Sequence, residues 1–174
     1  MPNIEIKASY SDLNKAKQIA ERVSTKHLGL DHQVDTYFKT SKGRLKLRES
    51  SLSGAMLIPY LRSDHSGPKK SDYALLPTDD PILAKHLLAE LLGVETVVIK
   101  DRDIYLADNV RIHLDHVEGL GSFIEFEAVY RNEADEPLEH EKVNRLIREF
   151  EIASHQLIKN SYREYQGSSP TRSA

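Results

Sequence analysis

The stretch RIHLDHVEGLGSFIEFE, residues 111–127, decides the fold. Arg111, His113 and Asp115 alternate with Ile112 and Leu114, and Glu125 and Glu127 alternate with Ile124 and Phe126. Side chains two residues apart on a strand share a face. Each run is therefore a strand with one ionic and one aliphatic face, and Glu118-Gly119-Leu120-Gly121 turns between them. The same alternation recurs elsewhere. Glu5 and Lys7 oppose Ile4 and Ile6; Arg44, Lys46 and Arg48 oppose Leu45 and Leu47; Tyr60 and Arg62 oppose Leu61; Lys100 and Arg102 oppose Ile99. The shared face carries eight cations (Lys7, Arg44, Lys46, Arg48, Arg62, Lys100, Arg102, Arg111) against Glu5, Asp115, Glu125 and Glu127. That is an excess of four positive charges on a chain whose net charge is −3.

The remaining elements follow from the same reading. A strand is expected over 31–38, turning at 40–43 into a strand at 44–49, with further strands at 55–62, 71–76, 96–106, 110–117 and 122–130. Helices are expected from Ser11-Asp12 to Ser24, from the Pro77–Pro81 cluster to Leu92 with Gly93 as its stop, and over 137–150, with a shorter segment at 155–165. Residues 1–166 read as one domain, and GSSPTRSA at 167–174 reads as a disordered tail.

An antiparallel sheet with one solvated face is the ordinary explanation of such alternation. Three features argue against it. The ionic face is rich in arginine. The helices are amphipathic and need an apolar surface, which places them on the aliphatic side of the sheet. Eight strands with an apolar exterior tend to close, turning the ionic face into a lumen. The expected fold class is α+β: an eight-stranded antiparallel closed β-barrel with helices packed on the outside.

Composition sets the outer limits. The 174 residues contain no cysteine, which excludes disulfides, zinc-thiolate sites and a cysteine nucleophile. The slightly negative net charge gives no support to nucleic-acid or anionic-membrane binding. No apolar run approaches the ~18–20 residues that span a bilayer, and MPNIEIKASY has no signal-peptide pattern, so a cytoplasmic location is expected. No dinucleotide fingerprint or Ser-His-Asp arrangement is present.

A lumen crowded with cations calls for a compact polyanion. Two like charges ~4 Å apart repel by about 4 kcal/mol at an effective dielectric near 20. Arginine forks match phosphate oxygens, and lysine adds a point charge. Carboxylates among them suit Mg²⁺ or Mn²⁺, which is usually held by one or two carboxylates plus substrate phosphates. The residues together point to a metal–triphosphate site inside a barrel. His113 shares the ionic face, whereas His116 does not. Asp35 and Tyr37 share a face with each other, with structural and catalytic roles equally open. Lys70, in a Gly-Pro loop, reads as a solvated turn residue within reach of the tunnel mouth.

The pieces IEIK (4–7), DTYF (35–38), GRLKLRE (43–49), YLR (60–62), PKKSDY (68–73), VIKDRDIYL (98–106), RIHLDHVEGLGSFIEFE (111–127) and SY (161–162) together resemble the CYTH family, or triphosphate tunnel metalloenzymes. That family contains class IV adenylate cyclases, thiamine triphosphatases and inorganic triphosphatases. The resemblance implies a triphosphate tunnel with Mg²⁺ or Mn²⁺ held by Glu5, Glu125 and Glu127. It implies a phosphate cage of Lys7, Arg44, Lys46, Arg48, Arg62, Lys70, Lys100, Arg102 and Arg111. Among these, Lys7, Arg48, Lys100 and Arg102 are expected to be catalytic together with Asp115, which also reads as an additional metal group or one standing behind the metal. The family signature E-x-E-x-K here reads Asn3-Ile4-Glu5-Ile6-Lys7, so one carboxylate is replaced by an amide. Hydrolysis of a small-molecule triphosphate is the first expectation. A class IV-like cyclase making cyclic AMP and pyrophosphate, and a non-catalytic polyphosphate or nucleotide binder, are the alternatives. A homodimer is compatible with this reading.

Overall fold

The computed structural model describes residues 2–62, 69–158 and 162. The strands are β1 (Pro2–Ser9), β2 (Lys26–Phe38), β3 (Arg44–Ser50), β4 (Gly54–Arg62), β5 (Lys69–Tyr73), β6 (Leu76–Pro77), β7 (Val94–Ala107), β8 (Val110–Val117) and β9 (Gly121–Val129). The helices are α1 (Leu13–Val23), α2 (Pro81–Leu92) and α3 (Glu136–Glu149). All pairings are antiparallel, in the order β3-β2-β7-β8-β9-β1-β5-β4. Pairing of β3 with β4 closes the ring at eight strands, and the two-residue β6 pairs with β4 beyond β5.

The expected architecture is the observed one, with three local differences. β2 begins five residues before Asp31 because a bulge between His27 and Gly29, the glycine at φ 110°, breaks the alternation that marks a strand. Lys69 and Lys70 belong to β5 rather than to a solvated turn, since they pair with Glu5 and Ile4 of β1. The segment after α3 forms only a short 3₁₀ turn at Ser154–Gln156 and then runs along β1, where the Ile158 amide donates to the Lys7 carbonyl at 2.8 Å. The expected tail at 167–174 lies outside the described residues.

The aliphatic faces of β1, β8 and β9 meet α1 and α3 in the main core. Ile4, Ile6, Ile112, Ile124 and Phe126 are fully or almost fully buried there against Ala16, Ile19, Val143 and Phe150. The Phe126 and Phe150 rings are tilted, with centroids 5.0 Å apart. α2 behaves differently. Its sequence PILAKHLLAELL is apolar on several sides, it buries none of its residues, and Ile82, Leu83, Leu87 and Leu91 stand exposed. No helix among the described residues is long and apolar enough to cross a membrane.

The starts of α1 and α2 carry the expected caps. The Asp12 carboxylate accepts from the Lys15 amide at 2.9 Å, and Asp80 does the same for Leu83 at 2.9 Å. Replacing Asp12 with alanine should cost about 1 kcal/mol. It should lower the melting temperature by about 2–4 °C, measured by circular dichroism.

Candidate phosphate-binding tunnel

Lys7, Lys46, Arg48, Lys100, Arg102 and Arg111 all line one cavity of about 550 Å³, with Glu5, Glu125, Glu127 and His113. One end of the barrel interior is filled by Tyr37, Val98, Val117, Phe123 and Tyr162. Val98 and Phe123 lie two residues along their strands from Lys100 and Glu125, so this apolar plug forms the floor of the charged zone.

At the centre of the cations stands Asp35, which is fully buried. Arg48 donates from Nε and Nη2 to its two oxygens, both at 2.7 Å. Lys46 and Lys100 reach Asp35 Oδ2 at 2.8 and 3.0 Å. Burial pushes the Asp35 carboxyl up, but Arg48, Lys100 and Lys46 outweigh it and hold the group well below the usual carboxylate range. Burial pushes the Lys100 ammonium down; Asp35 opposes this, and Arg48, Arg102 and Lys46 reinforce it, leaving the group well below an ordinary lysine. The positive excess expected of the ionic face is thus partly offset by a carboxylate left out of the count.

A second hub lies on the neighbouring strands β7 and β8. Arg102 donates to Asp115 through Nε at 2.7 Å and Nη2 at 2.6 Å, and Tyr162 donates its hydroxyl to Asp115 Oδ2 at 2.7 Å. Asp115 is fully buried and does not line the cavity. Both of its oxygens are engaged, so it stands behind Arg102 rather than beside the space a metal or phosphate would take. Glu125 lies 3.1 Å from Lys7 and 3.4 Å from Arg102. Burial raises its carboxyl; Lys7 and Arg102, with His113, bring it well below the usual range. His113 is itself lowered by burial and by Arg102, which favours the neutral imidazole at neutral pH. The Lys7 ammonium also sits 3.7 Å from the centroid of the Tyr162 ring.

The carboxylates expected to hold a metal lie on adjacent strands. Glu5 and Glu127 are direct partners in the β1–β9 register, and Glu125 pairs with Lys7 one step deeper. Like charges directly opposite on neighbouring strands repel, and a divalent cation between them relieves that. Among the described residues no three His, Asp or Glu side chains form a cluster able to hold a metal alone. The donor set therefore fits a hard cation whose shell is completed by phosphate oxygens and water. Asn3 is fully integrated: its Nδ2 donates to Glu127 Oε1 at 2.8 Å, fixing that carboxylate where a glutamate would repel it.

Other expected residues lie elsewhere. Arg44 does not line the main cavity; its guanidinium is 5.9 Å from the Tyr60 ring centroid, beside a separate shallow cavity. The side chains of Arg62 and Lys70 lie outside the described residues. Arg111 is near the rim, 3.4 Å from Glu127. Asp31, on the same face of β2 as Asp35, ties down the β3–β4 turn by accepting from Gln33, Ser50, Ser51 and the Leu52 amide.

A family model described as the CYTH domain matches residues 1–162. The chain belongs to the CYTH domain family. A protein of Methanocaldococcus jannaschii named "Putative adenylate cyclase" is 27% identical to this CYTH chain over 96% of it and 99% of the relative. A solved structure from Pyrococcus horikoshii superposes with a TM-score of 0.78 at 25% identity, covering 93% of this chain and 98% of that one. The fold is also shared, at TM-score 0.56 and 16% identity over 94% of this chain and 93% of the other, by a Hippeastrum adenylyl cyclase homologue described as having a dominant triphosphatase activity. The 27%-identical relative is thus named as a putative cyclase, and a protein that shares the fold is described as having triphosphatase activity.

Proposed function

We propose that this protein hydrolyses a triphosphate bound in the tunnel, with Mg²⁺ or Mn²⁺ as cofactor. The observation that carries the reading is the convergence of Lys7, Lys46, Arg48, Lys100 and Arg102, from three separate strands, on one cavity that Glu5, Glu125 and Glu127 also line. Phosphoryl transfer spreads charge over phosphate oxygens, so catalysis is mainly positioning and electrostatic stabilisation.

The residues supply that stabilisation in fixed form. Arg48 spends two of its five N–H donors on Asp35, and the others remain for phosphate. Arg102 is held the same way by Asp115, so Asp115 acts as a positioning residue in this reading. Arginines anchored before substrate arrives lose less freedom on binding than mobile ones. Glu5, Glu125 and Glu127 would hold the divalent cation. When bound, that ion supplies neutralisation of phosphate charge and a lowered pKa for a coordinated water. Lys7 and Lys100 add positive charge beside the plugged end of the barrel.

Cyclisation of ATP is the second reading, favoured by the name of the 27%-identical relative. It uses the same cage, with the ribose 3′-hydroxyl attacking the α-phosphorus and pyrophosphate leaving. Incubation with ATP and either Mg²⁺ or Mn²⁺, with products resolved by chromatography, separates the two. Orthophosphate is the expected product. Cyclic AMP with pyrophosphate would establish the cyclase, and binding of triphosphate without turnover would reduce the protein to a binder.

A further inference from the structure

Helix α2 keeps apolar side chains on the side that faces away from the barrel. Its inner side rests on β2 and β3, where Lys85 pairs with Glu49. The outer side is a stripe at helical spacing: Ile82, Leu83, His86, Leu87, Glu90 and Leu91. Ile82 and Leu91 are 80% and 78% exposed, and Leu83 and Leu87 are half-exposed. Leu92, Val94 and Val97 extend the apolar patch past the helix end along β7. Val97 lies on the outer face of that strand, because Val98 fills the barrel interior. A helix that is apolar on both sides is ordinarily covered on both.

The size of the patch and its chemistry say what covers it. The seven aliphatic residues together expose roughly 650 Å², above the ~300–600 Å² of the largest patch on a typical monomer and near the ~800 Å² per partner of a standard interface. The rest of the chain has little to offer as a cover: residues 63–68, 159–161 and 163–174 contain no Leu, Ile, Val, Met or Phe. A helix that lies on a membrane surface carries Lys and Arg along its polar face. α2 has only Lys85, which Glu49 engages, on a chain of net charge −3.

The stripe is instead complementary to itself. Two copies of α2 laid antiparallel about a two-fold axis near Leu87 set Leu83 against the partner's Leu91 and Leu87 against the partner's Leu87. His86 and Glu90 lie on the same flank of the stripe, one turn apart. The axis therefore brings His86 beside the partner's Glu90, and the same pair forms twice.

We propose that the outer face of α2 is the interface of a homodimer, in which two copies of this chain pair antiparallel through the Ile82–Leu91 stripe. No residue of α2 lines the tunnel, so each copy keeps its own complete cavity, and the pairing does not depend on what the tunnel binds.

Light scattering after size-exclusion chromatography of the full chain, at micromolar concentration, tests this. The expected mass is twice the chain mass of 19.8 kDa. Leu87→Glu/Leu91→Glu, at two exposed positions, should halve it, because the new charges oppose each other across the axis; circular dichroism verifies the fold. The chain has no cysteine, so single cysteines give a second readout. Leu87→Cys, on the axis, should form a covalent dimer under mild oxidation. Leu61→Cys, also half-exposed but on β4, should not. A monomeric natural protein overturns the proposal. So does a dimer that survives the double variant, or one in which Leu87→Cys does not cross-link. A monomer that sediments with phosphatidylserine vesicles overturns it too and gives the helix face to a membrane.

Discussion

Asp35→Asn lowers the melting temperature of the ligand-free protein by about 6–20 °C. Removing one partner from a buried, fully engaged ion cluster typically costs about 3–5 kcal/mol, and each kcal/mol shifts a chain of this size by about 2–4 °C. The mechanism is specific. Asp35 is fully buried and accepts from Arg48, Lys46 and Lys100. An amide keeps the shape but leaves three cations facing one another with no anion between them. The pH dependence identifies the cause. The Asp35 carboxyl is held well below its ordinary value in the folded protein. Its contribution is therefore complete above the unfolded pKa near 4 and disappears only as pH falls through the lower folded value. The stability gap between the natural protein and the variant should thus be flat from pH 5 to 8 and narrow only in stronger acid. At alkaline pH the variant should recover part of its loss, because without Asp35, which raises it, Lys100 is lowered further than in the natural protein and sheds its proton at lower pH. Thermal melts across pH 3–10 read all of this. A variant as stable as the natural protein at pH 7 would mean that Asp35 does not hold the cations together. Inorganic triphosphate should raise the melting temperature of the variant more than that of the natural protein, since it supplies the missing negative charge.

That Asp35 is the hub shows what a sequence yields and what it withholds. Face assignment depends on parity within one strand, and it holds for Lys7, Arg48, Lys100, Arg102 and Glu125, all of which meet in the cavity. The same parity puts Asp35 and Tyr37 on one face. The partners of Asp35 are another matter: they lie 11, 13 and 65 residues away, and they depend on the register of β2 against β3 and β7. Register is fixed by ring closure and by the bulge at His27–Gly29, neither of which is local. The place of Tyr162 is missed for a similar reason. SY at 161–162 is among the quoted pieces, but the segment at 155–165 reads as a short helix, whereas residues 157 and 158 are bound by Ala8 and Lys7 of β1 and Tyr162 reaches Asp115 inside the barrel. Asn3 is legible as a departure from the family signature, but its hydrogen bond to Glu127 is visible only across strands. Helix ends, by contrast, are chemically local, and Asp12, Asp80 and Gly93 stand at helix boundaries as expected.

Arg48→Ala should lower kcat/KM for a triphosphate by about 10²-fold or more, the range found when one fixed electrostatic stabiliser is removed from an active site. Arg48 differs from a surface arginine in two ways. Its guanidinium is oriented by two hydrogen bonds to Asp35, and its pKa is raised, burial opposing the charge and Asp35 more than restoring it. Under the proposed function it would therefore meet phosphate with its charge intact and its orientation set. Arg48→Lys keeps the charge but not the fork, so it should fall between the alanine variant and the natural protein. Arg111, 3.4 Å from Glu127 at the exposed rim, should show a smaller loss on replacement by alanine, mostly in KM. Glu125→Ala should match Arg48→Ala in size for a different reason: it removes a carboxylate that would hold the divalent ion and leaves Lys7 and Arg102 without a shared partner. Steady-state kinetics with Mg²⁺ and with Mn²⁺, on variants whose fold is verified by circular dichroism, separate these cases. Folded Arg48→Ala and Glu125→Ala proteins with undiminished turnover would place the chemistry outside the tunnel that these two residues line.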